Sequence, residues 1–107
     1  MTVNIKGQSS KIYTFEGAYS STSSTEDRSG VYAILDYNGD NCCLIDVGES
    51  AQVKTRLDNH DRKPCWYGKQ KGNLKCAVYY TPNLQQQGRM LVEQDIRAYY
   101  NNLCGDR

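Results

Sequence analysis

Gly30-Val31-Tyr32-Ala33-Ile34-Leu35-Asp36-Tyr37, then Asn38-Gly39-Asp40-Asn41, then Cys42-Cys43-Leu44-Ile45-Asp46-Val47 are the residues on which the fold turns. The first and third stretches are dense in β-branched, aromatic and other apolar side chains, which suit a pleated, half-buried surface. Between them, Asn and Gly tolerate the positive φ that a tight reversal needs. Two strand-like runs around an Asn-Gly predict a β-hairpin.

On the C-terminal side, Gly48-Glu49-Ser50 leads into Ala51 to His60, where Val53 and Leu57 recur at helical spacing and Ser50 fits an N-cap. Arg56 and His60 stand four residues apart, so a helix would present both on one face. A basic stretch with Pro64, Gly68 and Gly72 reads as a loop, Leu74 to Tyr80 as a third strand, and Pro82-Asn83 introduces a helix from about Leu84 to Asn101. Leu84, Leu91, Val92, Ile96, Tyr99 and Leu103 form the expected apolar stripe of that helix, with Glu93 off its centre. On the N-terminal side, Lys11 to Glu16 is a candidate strand and Ser20 to Thr25 a loop. The order predicts an α+β (α/β) fold: a small three-stranded antiparallel or mixed sheet flanked by helices, in the order β-hairpin, α, β, α. Residues 1–28 are expected as an N-terminal extension, packed on the core through Tyr13, Phe15 and Tyr19.

A chain of 107 residues has room for one core, so a single domain over 1–107 is expected. Its 38% hydrophobic and 23% charged residues suit a modest globular core. No apolar run approaches the roughly 18 to 20 residues of a membrane span, and no repeat or heptad pattern is present. Residues 1–10 lack a hydrophobic stretch of signal-peptide type, which predicts a cytoplasmic chain without a membrane partner. Five cysteines, an odd number, then predict free thiols in a reducing compartment rather than a disulfide framework. His60, Cys65, Cys76 and Cys104 could be assembled into a zinc site, but no close Cys-x2-Cys pair anchors one.

The net charge of +1 is unevenly spread. From Ser50 to Lys75, seven cations face only Asp58 and Asp61, a local excess of +5. Trp66 and Tyr67 interrupt this basic run. Cations for a phosphate backbone and aromatics for stacking are what a nucleic-acid surface requires, and Arg62, Lys63, Lys69 and Lys71 are the expected contacts. Tyr32, Arg56, His60 and Glu93 are placed where they could converge. A carboxylate can hold Mg²⁺, an arginine can neutralise phosphoryl charge, and His or Tyr can relay the proton of an attacking water. Each taken alone has an ordinary structural role: a core tyrosine, a helix-capping histidine, a surface ion pair, a solvated carboxylate.

Taken together, Gly30-Val31-Tyr32, then Asp46-Val47-Gly48-Glu49-Ser50, then Arg56-x-x-x-His60 and a late helical Glu93 resemble the GIY-YIG endonuclease superfamily. The resemblance covers roughly residues 29–105. It implies a stand-alone nuclease module in which Tyr32 is the tyrosine of the first motif, and Gly30 and Gly48 are motif glycines. Arg56 would contact the scissile phosphate, His60 would assist proton transfer, and Glu93 would be the single protein ligand to Mg²⁺ (or Mn²⁺). The implied reaction is metal-dependent hydrolysis of DNA, with selectivity from the basic stretch, an additional DNA-targeting partner or a homodimer. Two departures stand out. Asp46 replaces the tyrosine that opens the second motif, and the asparagine usual after the catalytic helix has no clear counterpart. Asp46 could bind metal beside Glu93 and join the reacting groups. Alternatively it marks a domain that binds nucleic acid without cutting it. A protein-interaction or zinc-stabilised domain on the same sheet is the third reading.

Overall fold

A computed structural model describes residues 1–105 of the single domain expected over 1–107; positions 106 and 107 lie outside the described residues. In chain order the elements are β1 (Thr2–Lys6), β2 (Ile12–Tyr19), a 3₁₀ turn (Thr22–Ser24), β3 (Gly30–Asn38), β4 (Asn41–Ser50), α1 (Val53–Asp58), α2 (Lys63–Lys69), β5 (Asn73–Tyr80) and α3 (Gln86–Tyr99). The strands form one antiparallel sheet in the order β1-β2-β5-β3-β4. The α+β class is as expected, but the sheet has five strands and not three. Residues 1–28 supply the difference: β1 pairs with β2, and β2 pairs with β5.

β3 is buried on both faces, which explains its unbroken apolar run. Alternate side chains leave a strand in opposite directions. Val31, Ala33 and Leu35 therefore enter a core with Tyr13, Phe15, Val92 and Ile96. Tyr32 and Ile34 enter a second core with Val53, Leu57, Trp66 and Val78. The β3–β4 hairpin closes through Gly39-Asp40, with Asn38 opposite Asn41 and the positive φ carried by Gly39. A shift in register between Ile34 and Leu35 sets Ile34 against Asp46 and Leu35 against Leu44. This puts Asp46 and Gly48 on the same face as Tyr32.

The helices depart from expectation in three ways. α1 has only six residues; Gln52 occupies its N-cap, and Ser50 Oγ accepts from Gln52 N instead. Its exposed start is held from outside by the Asp27 carboxylate, which accepts from Thr55 N and Thr55 Oγ1 at 2.9 and 2.7 Å. Residues 63–69, expected as loop, are helical because Pro64 sits in the first turn, where its missing N–H costs nothing. On α3 the buried side chains are Arg89, Val92, Glu93 and Ile96. Leu91 and Tyr99, expected inside, are exposed, and so is Leu84 before the helix. Glu93 lies on the buried face and not beside it.

Cys65 and Cys104 form a disulfide, contrary to the expectation of free thiols; Cys42, Cys43 and Cys76 are free. Among the described residues no helix is long and apolar enough to cross a membrane.

Candidate functional site

A cleft of about 430 Å³ lies where the end of β4 meets α1 and α3. Tyr32, Gly48, Glu49, Arg56, Arg62, Arg89 and Glu93 border it. Tyr32, on a central strand, is only 1% exposed. Gly48 is its partner across the hairpin, and a Cβ there would overlap the tyrosine hydroxyl. Any side chain at this position would displace Tyr32. Gly30 is confined in the same way, because a Cβ would come within 2.8 Å of the Tyr79 carbonyl oxygen.

His60 follows α1 and is not on it, because the helix ends at Asp58. The ring is buried, stacked on Trp66 at 4.7 Å between centroids, and hydrogen-bonded through Nε2 to Tyr32 Oη. Nδ1 accepts the backbone N–H of Arg62 at 3.0 Å. That acceptor role leaves the ring proton on Nε2, which donates to the phenol. Burial, then the cations of Arg56 and Arg62, push the imidazole down to about 4, so His60 is neutral at pH 7. Burial raises the Tyr32 phenol above its ordinary value of 10, with Arg62 and Arg56 pulling it back.

Arg56 projects from α1, donates Nη2 to Asp61 at 2.9 Å and keeps its side chain about a third exposed. Glu93 faces the cleft from α3, 2% exposed, and its Oε2 accepts from Arg97 Nε at 3.1 Å. The structure thus brings Tyr32, Arg56 and Glu93 to one cleft, with His60 behind Tyr32.

Asp46, expected among the reacting groups, lies outside the cleft. It is fully buried and accepts five hydrogen bonds: from Val47 N, Arg62 Nε and Nη2, Trp66 Nε1 and Arg97 Nη2, at 2.6 to 3.2 Å. Its carboxylate is enclosed by protein donors, so it is a structural hub and not a second metal ligand beside Glu93. Of the four basic residues expected to contact nucleic acid, Arg62 borders the cleft. Lys63 borders a neighbouring pocket, and Lys69 and Lys71 border neither.

Sequence reasoning missed Glu49, Arg89 and Arg97. Arg89 Nε donates to Glu49 at 2.9 Å, and its Nη1 donates to Ser29 Oγ and the Leu84 carbonyl. Arg89, Glu93 and Arg97 recur every four residues, a spacing that reads as an ion-paired solvent face. Only Val92 and Ile96, interleaved with them, hint that the face is buried.

The zinc cluster drawn from His60, Cys65, Cys76 and Cys104 does not form. Two of its cysteines are joined to each other, and both ring nitrogens of His60 are engaged. Among the described residues no group of three or more His, Cys, Asp or Glu converges on a metal position. The cleft instead offers two carboxylates, Glu49 and Glu93. One or two hard oxygen donors, with water and phosphate completing the shell, fit Mg²⁺ or Mn²⁺ and not a soft-ligand metal. Compared with known proteins, the chain matches no family model, no curated protein and no solved structure.

Proposed function

We propose that this chain is a metal-dependent endonuclease of GIY-YIG type that hydrolyses DNA phosphodiester bonds in the cleft between β4, α1 and α3. One observation carries the reading: a tyrosine from β3, an arginine from α1 and a glutamate from α3 border the same 430 Å³ cleft. Glu93, with Glu49 beside it, would hold a divalent cation, whose chemistry when bound would be to offset negative charge on the phosphoryl group. Arg56, with the outward part of Arg62, neutralises charge building on the remaining phosphoryl oxygens. Tyr32, as phenolate, takes the proton of the attacking water. The Nε2–H of His60 and the cations of Arg56 and Arg62 stabilise that phenolate, while burial opposes it. Activity is therefore expected to rise with pH through the alkaline range.

The competing reading is a module that holds nucleic acid without cutting it. The ion pairs of both cleft carboxylates favour it, Glu93 with Arg97 and Glu49 with Arg89. Incubation with supercoiled DNA and Mg²⁺ or Mn²⁺ separates the two. The nuclease reading expects nicking that falls about a hundredfold or more in Glu93→Gln and Arg56→Ala. Wild-type rates in both variants would mean that the assigned site is wrong. Salt-sensitive affinity without turnover would favour the binding module.

A further inference from the structure

A second pocket, of about 270 Å³, opens on the same sheet face as the cleft. α1 contributes to both, Arg56 to the cleft and Leu57 to the pocket. The strand does likewise: Tyr32 borders the first and Ile34 the second, two residues or about 7 Å along β3. The pocket floor is apolar, and α2 walls it with Trp66 and Tyr67. These adjacent aromatics have divided their roles. Trp66 is 5% exposed and turns its indole N–H to Asp46, whereas Tyr67 is 61% exposed and lies free on the rim. The rest of the rim is polar. It comprises the serine and threonine tract at the 3₁₀ turn, Asp58, which accepts from Thr22 Oγ1 at 2.6 Å, Lys63, which is tied to the Asp58 carbonyl at 2.8 Å, and Lys75, whose ammonium lies over the Tyr37 ring.

We infer that this pocket receives one unstacked nucleobase of the strand whose phosphate lies in the cleft, stacked on Tyr67. A flat aromatic ligand fits an aromatic wall and an apolar floor, and hydroxyl and carboxylate groups at the rim suit the polar edge of a base. The 7 Å offset along β3 matches a base belonging to a nucleotide next to the phosphate in the cleft. The inference rests on the nuclease reading for the identity of the strand, and not on hydrolysis.

Trp66 is the only tryptophan and borders the pocket, so its fluorescence reports occupancy. The full chain is titrated in EDTA, where metal-dependent cleavage does not run. A short single-stranded oligonucleotide is expected to quench Trp66 saturably, and to bind at least about tenfold tighter than dAMP because phosphate contacts add to stacking. An abasic strand of the same length is expected to bind without quenching. Tyr67→Ala weakens the quenching titration about tenfold, while Tyr67→Phe, which keeps the ring, leaves it unchanged. Quenching by the abasic strand, equal affinity for dAMP and the strand, or an unaltered titration in Tyr67→Ala overturns the inference. Cleavage in Mg²⁺ is scored separately. A chain that cuts but shows no Tyr67-dependent quenching refutes the pocket alone, and one that shows the quenching but never cuts refutes the nuclease reading alone.

Discussion

His60 is held in the fold as a buried, neutral ring. In an unfolded chain it titrates near 6.5; in the fold, burial and the neighbouring cations of Arg56 and Arg62 hold it at about 4. Between those values the unfolded chain binds more protons than the folded one, so folding is opposed as pH falls through that window. Stability is fully present above pH 6.5 and declines down to about pH 4. That opposition acts on a small domain whose whole margin is about 5 to 15 kcal/mol. Asp27, Asp61 and Asp95 act in the same direction but at lower pH. Hydrogen bonds lower all three below 3.8, so what they contribute is lost only under more acid conditions. Thermal midpoints followed from pH 7.5 to 4 are therefore expected to fall in the wild type and to stay nearly flat in His60→Gln. An equal fall in the variant would assign the loss to other groups. The same side chain marks how much of the site could be read at the residue scale. Tyr32, Arg56, His60 and Glu93 were legible as candidates because residue type and order along the chain carry them. The direction in which His60 donates its proton was not, because it depends on the Arg62 backbone N–H.

At the scale of elements, Asp46 ties three of them together. It sits on β4, which is an edge strand, and receives Arg62 and Trp66 from the α2 region and Arg97 from α3. Arg97 also donates to the Val47 carbonyl, and Cys104 N to the Ile45 carbonyl at 2.9 Å. The outer edge of β4 is thus covered by α3 and the segment after it, which blunts an otherwise open ladder. Removing the carboxylate shared by Arg62 and Arg97 leaves Arg97 with Glu93 but strips Arg62 and the Trp66 N–H of their buried acceptor, a change that costs about 3 to 5 kcal/mol. Asp46→Ala is expected to lower the urea midpoint accordingly and to shift Trp66 emission, because the indole N–H loses its acceptor. Asp46→Tyr, which would recreate the tyrosine of the second motif, is expected to destabilise the chain for the same reason. A stable Asp46→Tyr protein would show that the hub is dispensable. From sequence, the carboxylate read as a reacting group because spacing put it at a motif position. Its partners Arg62, Trp66 and Arg97 lie 16, 20 and 51 residues away, and no local pattern joins them. The hairpin and β5 were legible because their apolar runs are bounded by turn residues. α2 was not, since Pro64 and Gly68 signal a loop and also fit a helix start and a short exposed helix. The buried face of α3 was hidden because its charges are neutralised by tertiary partners.

The whole molecule is closed at its far ends. Residues 2–19 extend the sheet on one side, through Tyr13 and Phe15 on alternate positions of β2, and the Cys65–Cys104 disulfide ties α2 to the segment after α3 on the other. The alternation Tyr13, Thr14, Phe15, Glu16 was visible in the sequence, but the pairing of β2 with β5, about sixty residues on, was not. Nor was the disulfide, because an odd cysteine count and a polar N-terminus describe a redox environment and not a distance. The consequence is quantitative. A bond between residues 39 apart removes loop entropy from the unfolded chain worth about 4 kcal/mol. Its two ends adjoin residues that hold Asp46: Cys65 precedes Trp66, and the Cys104 carbonyl accepts from Arg97 Nη1 at 2.8 Å. Reduction by a dithiol is therefore expected to lower unfolding stability by up to about 4 kcal/mol. The double variant Cys65→Ser, Cys104→Ser should start at the lower value and respond no further to reductant. Thiol titration of the unfolded, unreduced protein should find three reactive thiols, from Cys42, Cys43 and Cys76. Five thiols together with a stability indifferent to dithiol would mean that the two ends are held by packing alone. The cleft would then depend on the Asp46 hub by itself for the link between α2 and α3.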